Sequence, residues 1–341
     1  MLKIKKFINR TQSILSYLNR EAVLPNKPIT LEIEATNRCN ESCWMCPHSL
    51  MKRDKGDLSL DLLENIIEQN KNTLELVNLF HCGEPLLHPH IGELINLCHR
   101  KNVKVLITTT GNLLTLEKGK ELIDSGLDML VLSLDAVTKE TYSSIRKSNF
   151  EDVVRNIDNF IELKSKPGRK PFVQVQMVSM DMNRHEIPAF ISRWKKKADS
   201  VRVKRFYNTA DIAAIIGQKL PDKKTIVKPS PCIMLWREPV VCWNGTVLPC
   251  CIDLIGEAPI GNINDNTFME VWNGEKMLNM RKLHIEGRYS EIDVCKHCTI
   301  FQVNLPFVLG STLLDDLTIR KVNPIFEKLD TVKGLKKFNH F

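Results

Sequence analysis

The sequence predicts an α/β protein: an open, partial (β/α)6 barrel over residues 29–206, then a small C-terminal domain built on a hairpin over 231–300. Three observations carry this prediction. Between about residues 30 and 205, short β-rich runs alternate with amphipathic helical patterns, as parallel βαβ units require. Six such runs are too few for a closed eight-stranded barrel. Beyond residue 206 the alternation stops, and six of the eleven cysteines gather around an Asn244-Gly245 hairpin signal.

Taken in order, residues 1–28 form an N-terminal extension whose first 24 residues suit an amphipathic helix. Ile4, Phe7, Ile8, Leu15 and Leu18 recur at helical spacing. Such a stripe could dock on a membrane surface; the expectation is that it packs against the main domain. Pro25 and Pro28 break the pattern. The expected strands are Leu31–Thr36, Leu76–Phe80, Val103–Thr108, Met129–Ser133, Phe172–Val178 and Ser200–Val203. Helical patterns lie between them, near 60–70, 90–101, 115–125, 150–164 and 185–197. Residues 207–230 read as a linker. In the C-terminal domain, Val240–Trp243 and Thr246–Pro249 form the hairpin arms, with one amphipathic helix near 268–283. The tail, 301–341, carries no chemical motif.

Composition narrows the class. Hydrophobic residues at 43% and charged residues at 26% are ordinary for a globular protein of 341 residues. No run approaches the roughly 20 apolar residues that span a bilayer, and no signal peptide is read at the start. A cytoplasmic protein is expected. The net charge of +8 lies largely in Lys3, Lys5, Lys6 and Arg10 and in the lysines after residue 320, so it reads as solvated basic ends. No nucleic-acid module is present. Eleven cysteines in a cytosolic chain point to metal or cluster ligation instead of disulfides.

Cys39, Cys43 and Cys46 stand at CxxxCxxC spacing in the loop after the first strand. Three thiolates on one short loop can hold three corners of an iron–sulfur cube and leave the fourth iron open. Zinc is the alternative, with His48 as a fourth ligand. This spacing resembles the signature of the radical S-adenosylmethionine (SAM) superfamily. The resemblance implies a TIM-like partial barrel, and a [4Fe–4S] cluster whose open iron binds SAM and reductively cleaves it to a 5′-deoxyadenosyl radical. It places Met45, where the family usually has an aromatic residue, near the adenine.

Later motifs extend the resemblance over roughly residues 29–205. Gly83-Glu84-Pro85 is similar to the core of the family's GGEP motif, which holds the methionine end of SAM; Cys82 replaces the first glycine and receives no role. Thr108-Thr109-Thr110-Gly111-Asn112 is similar to a TNG-like turn. Leu132-Ser133-Leu134-Asp135, with Tyr142 and Arg146, resembles the SLD run. There Ser133 and Asp135 lie at the cofactor, and Arg146 reaches its carboxylate or ribose. Read without the resemblance, Ser133 and Asp135 could cap a turn and Arg146 could be a surface residue. All these motifs follow successive strand ends, the edge where parallel α/β folds place their sites. Glu32 and Glu34 alternate with apolar neighbours on the first strand, facing either the barrel lumen or solvent at a sheet edge.

Cys232, Cys250, Cys295 and Cys298 form a second set, suited to zinc or to a fully ligated cluster. The text around them, from Trp243-Asn244-Gly245 through Ile260-Gly261-Asn262 to the Cys295-Lys296-His297-Cys298 knuckle, resembles SPASM and twitch auxiliary-cluster domains. No cysteine follows Cys298, so one auxiliary [4Fe–4S] cluster is expected. Cys251 could replace Cys250, which the motif favours; Cys98 and Cys242 read as buried thiols. The resemblance implies a radical SAM oxidoreductase that removes a substrate hydrogen and passes an electron to the auxiliary cluster, for example oxidising a sugar or aminocyclitol alcohol. A reductant such as flavodoxin or ferredoxin would drive it. Peptide modification, epimerisation, a non-catalytic electron carrier and a zinc module are the alternatives. The catalytic residues are unknown, and no general base is chosen among Glu32, Glu34 and Lys204.

Overall fold

The computed structural model describes residues 2–168, 171–208, 210–218, 231–296 and 298. The 301–341 tail and the 219–230 part of the expected linker lie outside the described residues. The chain begins α1 (Leu2–Leu18), β1 (Thr30–Ile33), α2 (Leu60–Asn70), β2 (Leu76–Asn78), α3 (Ile91–Arg100), β3 (Lys104–Thr109), α4 (Leu116–Asp124) and β4 (Met129–Ser133). It continues α5 (Lys139–Ile145), α6 (Phe150–Ser165), β5 (Phe172–Ser179), α7 (Ile187–Trp194), β6 (Ser200–Arg205), α8 (Ile212–Ile216) and α9 (Met234–Arg237). After these come β7 (Val240–Val241), β8 (Thr246–Leu248), β9 (Gly261–Asn262), α10 (Phe268–Trp272), α11 (Glu275–Ile285) and α12 (Asp293–Lys296).

The six expected strands form one parallel array in the order β6-β5-β4-β3-β2-β1, the partial barrel of the sequence reading. Period-two alternation sorts their side chains. Leu31, Ile33, Val105, Ile107, Leu130, Leu132, Val173 and Val175 pack with Ile66, Leu94, Leu122, Ile157 and Phe160 of the helices. Leu76, Leu106, Met129 and Val131 form a separate apolar plug inside the barrel. Towards the C-terminal strand ends the inner face turns polar, with Glu32, Asn78 and Gln176 all buried. The barrel is therefore sealed by apolar contacts at one end and chemically equipped at the other. Ser59, Thr115, Thr138 and Asn149 cap α2, α4, α5 and α6 through side-chain acceptors, each cap worth about 1 kcal/mol.

Three features depart from the sequence reading. The C-terminal hairpin does not stand apart, because β7 pairs in parallel with β1 (Glu32 beside Val240, Ile33 beside Val241). With β8 and β9 antiparallel beyond it, one nine-stranded sheet runs through both halves. A two-residue strand paired across some two hundred positions leaves no local pattern to read. The single helix expected near 268–283 is two, α10 and α11. They break at Asn273-Gly274, where Asn273 turns aside to bond both the N–H and the carbonyl of Leu24, each at 2.9 Å.

The third correction concerns α1. It packs on the main domain, but through polar residues: Asn9, Ser13, Ser16 and Tyr17 are its buried positions. Asn9 exchanges two 2.9 Å hydrogen bonds with the Lys27 backbone, and Arg10 forks onto Glu75 at 2.7 and 2.9 Å. Tyr17 donates to Pro231 O at 2.8 Å and meets Trp236 edge-on. The apolar stripe that was expected to face inward is exposed.

Arg281 of α11 closes the junction. It is fully buried, stacks 4.4 Å over the Trp272 ring, and donates to Leu235 O and Ala22 O, each at 2.9 Å. Replacing it by leucine strands two buried carbonyls. Arg281→Leu is expected to cost about 2–4 kcal/mol in denaturant-unfolding experiments. A loss below about 0.5 kcal/mol would mean that the guanidinium bonds are dispensable.

Candidate active site

The cysteine loop leaves β1 and is shaped by its first residues. Asn37 is wholly buried, donating to Asp54 O at 2.8 Å and accepting from Gly56 N at 2.9 Å. Thr36 donates to Gly56 O at 3.0 Å. These bonds fold the loop back so that Cys39, Cys43 and Cys46 stand half-buried together, with Cys46 within electrostatic reach of both others. His48 Nε2 donates to Asn37 O at 2.9 Å, so that nitrogen serves the backbone and not the cysteines.

Burial pushes the Cys39 thiol up to about 11 and the Cys43 thiol up to about 12. Cys46 goes the other way, to about 7, because the Cys82 S–H donates to it. Cys82, left without a role by the sequence, thus eases deprotonation of one thiol of the set. Among the described residues, no three His, Cys, Asp or Glu side chains are gathered as a bound metal ion would hold them.

Gly83 explains why the loop after β2 carries glycine. Its backbone lies directly on the cysteine loop, and a Cβ there would sit 2.2 Å from Thr36 O and 2.9 Å from Arg38 O. Neither atom can yield, since both are main chain. Glu84 N then donates to Arg38 O at 2.8 Å. The Glu84 carboxylate is buried and spends its lone pairs inside the protein. It accepts from Thr109 Oγ1 at 2.6 Å, Leu86 N at 3.1 Å, and both Thr110 N and Oγ1 at 2.9 Å. It braces the β2 loop against the β3 loop, while Pro85 starts the short turn that follows. Glu41, which sequence reasoning passed over, does the same one layer out. It accepts from Asn112 Nδ2 at 2.9 Å and from the N–H groups of Lys147 and Ser148. A buried acid between two ligand-type cysteines was its only signal.

Asp135 and Arg146 form a buried pair at 2.6 Å, with Asp135 1% and Arg146 4% exposed. Asp135 also accepts from Val178 N at 2.6 Å, and its backbone adopts φ +64°, a left-handed setting unusual for a buried aspartate. Arg146 Nη1 reaches Cys43 Sγ at 3.4 Å and lowers the cost of a thiolate there. Neither residue is a surface group. Ser133 accepts from Gln176 Nε2 at 2.8 Å, and Met45 is half-buried on the cysteine loop. Tyr142 is buried, with its hydroxyl against Ser148 Oγ at 2.7 Å.

Glu32 and Glu34 point into the molecule from a central strand, so the edge-exposure alternative falls away. Glu34 takes a two-pronged bond from Arg53 at 2.7 and 2.9 Å, and Arg53 Nε donates on to Ile255 O. Glu32 Oε1 lies 2.6 Å from His81 Nδ1, while His81 Nε2 lies 3.1 Å from Asp253 O. Both partners of that ring are acceptors, so both nitrogens donate and the ring is cationic. Burial alone would lower the His81 pKa; the Glu32 hydrogen bond and charge more than offset it and raise the pKa. Lys204, on β6, is half-buried.

The second cysteine set converges beyond these pairs. Cys250 is within electrostatic reach of Cys232, Cys295 and Cys298, and of its neighbour Cys251. Cys251 is within electrostatic reach of Glu32 and Glu238, and of Cys232 and Cys298 as well. His284 Nε2 lies 3.4 Å from Cys295 Sγ. Cys98 and Cys242 are fully buried thiols, and Cys242 packs with Val240 and Leu248 against Cys251. Beside Cys298 of the second set opens a cavity of about 700 Å³, bordered also by Lys52 and Arg53, by Asp211 after β6, and by Glu257, Asp293 and Lys296.

Two predictions follow from this geometry. Gly83→Ala is expected to destabilise by about 1–3 kcal/mol and to lower iron loading, read by unfolding and by iron analysis; a variant that loads iron normally would refute the close packing. The Glu32–His81 pair supports the fold fully below the unfolded histidine value of 6.5 and loses that support as pH rises through the raised folded value. The stability gap between wild type and His81→Gln should therefore shrink as pH rises above about 6.5. A gap that widens would reverse the assigned charge.

Comparison with known proteins bears on this arrangement. The radical SAM superfamily matches residues 33–193, and the SPASM iron-sulfur cluster-binding domain matches residues 232–299. The chain is similar to the S-adenosyl-L-methionine-dependent 2-deoxy-scyllo-inosamine dehydrogenase of Niallia circulans, 23% identical over 278 residues, covering 79% of this chain and 91% of that protein. It is also similar to the PqqA peptide cyclase of Gluconobacter oxydans, 25% identical over 285 residues, covering 75% and 80%. The crystal structure of Streptococcus suis SuiB bound to S-adenosylmethionine shares the fold, with a TM-score of 0.61 at 17% identity over 79% of this chain and 71% of that one. Fold, site and both matched segments agree, and the chain belongs to the radical SAM superfamily as an enzyme that carries a SPASM-type cluster domain.

Proposed function

We propose that this enzyme oxidises an alcohol-bearing carbon of a small polar molecule, a sugar or aminocyclitol in chemical class. The cavity beside Cys298 of the second cysteine set, lined also by Lys52 and Arg53 that follow the first, carries the reading. Its lining of Lys52, Arg53, Asp211, Glu257 and Asp293 suits a ligand rich in hydroxyl or amino groups, and about 700 Å³ is the size of a small-molecule site. The dehydrogenase among the relatives supports the same direction.

The enzyme uses a SAM-binding [4Fe–4S] cluster and an auxiliary cluster. The donor sets suit them: three thiols on one loop, one made more acidic by a neighbouring S–H and one against a guanidinium, then four thiols around the hairpin. In this reading Cys39, Cys43 and Cys46 hold the first, and Cys232, Cys250, Cys295 and Cys298 hold the second. When bound, the clusters supply the electron that cleaves SAM and take up the electron that the substrate gives.

The chain's own residues do the rest. Met45 lies by the adenine, and Gly83 lets its loop close on the cysteine loop, main chain on main chain, so that this edge can take the methionine end of SAM. Glu84 and Pro85 keep that loop in place, Glu84 through its four bonds to Leu86, Thr109 and Thr110. Ser133 and Asp135 complete the SAM-facing edge. Arg146, fixed by Asp135, sets positive charge against Cys43. Glu32 and Glu34 are committed to His81 and Arg53 and position the two halves. A flavodoxin or ferredoxin in the cytoplasm supplies the reducing electron.

Anaerobic turnover with reductant, SAM and a substrate deuterated at the reacting carbon tests this. Deuterium should enter 5′-deoxyadenosine, and the product should be two electrons more oxidised than the substrate. A product of unchanged mass and inverted centre would overturn oxidation in favour of epimerisation; activity with peptides alone would overturn the substrate class. Cys39→Ala, Cys43→Ala and Cys46→Ala should abolish deoxyadenosine release. Cys250→Ala should lose about half the iron and the oxidised product, whereas Cys251→Ala should keep both; the opposite result would move the ligand to Cys251.

A further inference from the structure

Helix α1 is amphipathic in the reverse sense from a helix that serves a core. Its buried side is Asn9, Ser13, Ser16 and Tyr17. At the pitch of an α-helix, Phe7, Leu18, Ile4, Leu15 and Ile8 fall on the opposite side, within an arc of about 100°. These are the residues left in solvent: Phe7 is 67% exposed, Ile4 63% and Leu15 51%, with Ile8 and Leu18 close behind. Five large apolar side chains share one exposed face, with Thr11 set among them, and so many on one side are not scattered surface residues. The helix is also held firmly, by the Asn9–Lys27 and Arg10–Glu75 bonds and by Tyr17 against Trp236, so the patch is presented by a fixed support.

Charge selects the occupant. Helix α1 contains no acidic residue, and exposed Lys3 and Lys5 fall on either side of the apolar arc, with Lys6 half-buried nearby. A second copy of the chain is disfavoured, because a two-fold interface sets the same patch against itself and α1 offers no acidic residue to meet these lysines. An apolar strip with cationic margins matches an anionic bilayer instead: acyl chains take the strip and headgroups take the ammonium groups. We infer that α1 is an interfacial anchor that seats this enzyme on anionic membrane, lying in the headgroup plane with Ile4, Phe7, Ile8, Leu15 and Leu18 in the acyl boundary. The site remains on the protein side, since the polar side of α1 packs against Lys27 and Glu75, just before β1 and β2, at the strand ends opposite the cysteine loop. No helix among the described residues is long and apolar enough to cross a membrane, so the contact is peripheral.

Co-sedimentation of the reconstituted holoenzyme with vesicles tests the inference, using phosphatidylcholine alone or with about one-third phosphatidylglycerol. Wild type should partition onto the anionic vesicles about tenfold or more above the neutral ones, and added salt should weaken it. The double variant Phe7→Ser with Ile8→Ser should lose about tenfold in binding to anionic vesicles, and Lys3→Glu with Lys5→Glu should lose the anionic preference. All four positions are exposed, so unchanged iron content and deoxyadenosine release would show that each variant is folded. Wild type remaining in the supernatant would overturn the anchor, as would equal binding to both vesicle types. Dimerisation in light scattering that the serine variant dissolves would assign the face to a second copy.

Discussion

Strand β1 holds the molecule together because it is paired on both sides by strands of different halves. β2 of the barrel lies along one edge and β7 of the C-terminal hairpin along the other. The loop that leaves β1 carries the first cysteine set, so both cysteine sets take their positions from one four-residue strand. Glu32 and Glu34 make that pairing specific. Each is buried, and each is matched by a cation whose remaining donor crosses to the C-terminal half: His81 to Asp253 O, Arg53 to Ile255 O. An unpaired carboxylate here would cost several kcal/mol, so a rearrangement that separates the halves also strands two charges.

The same economy of backbone recurs at the cofactor edge. Gly83 presses main chain on main chain, Glu84 ties the second loop to the third, Glu41 ties the first to the third and to the segment after α5, and Asp135 ties the fourth to the fifth. Loops on adjacent strands are thereby cross-linked by buried acids, whose oxygens accept from backbone N–H groups, threonine hydroxyls, the Asn112 amide and the Arg146 guanidinium. Such a site is positioned before any ligand arrives, which is what a reaction that handles a radical requires.

Much of this could be read from the residues in order. The strand runs were legible because buried parallel strands are apolar almost throughout, as Met129 to Leu132 are. The cysteines, Gly83 to Pro85, Ser133 and Asp135 were legible because cofactor chemistry demands those residue types just past strand ends. What stayed hidden depends on contacts distant in sequence. Nothing near Val240 announces that it pairs with Glu32, and nothing near Cys82 announces that its S–H serves Cys46. The inverted docking of α1 was hidden for another reason: periodicity locates an apolar face but does not say whether protein covers it. Asn9, Ser13 and Ser16 looked like the solvated side and are the buried one.

The sheet is an arc and not a ring: its order begins at β6 and ends at β9, and those two strands do not meet. A closed barrel fixes its bore by strand number and tilt. An arc has no such fixed circumference, and β6 and β9 are its two margins. Asp211, just after β6, and Glu257, between β8 and β9, stand across the cavity on these two margins. Selectivity for guests of different girth can therefore change by altering short margin segments, with no strand of the sheet disturbed.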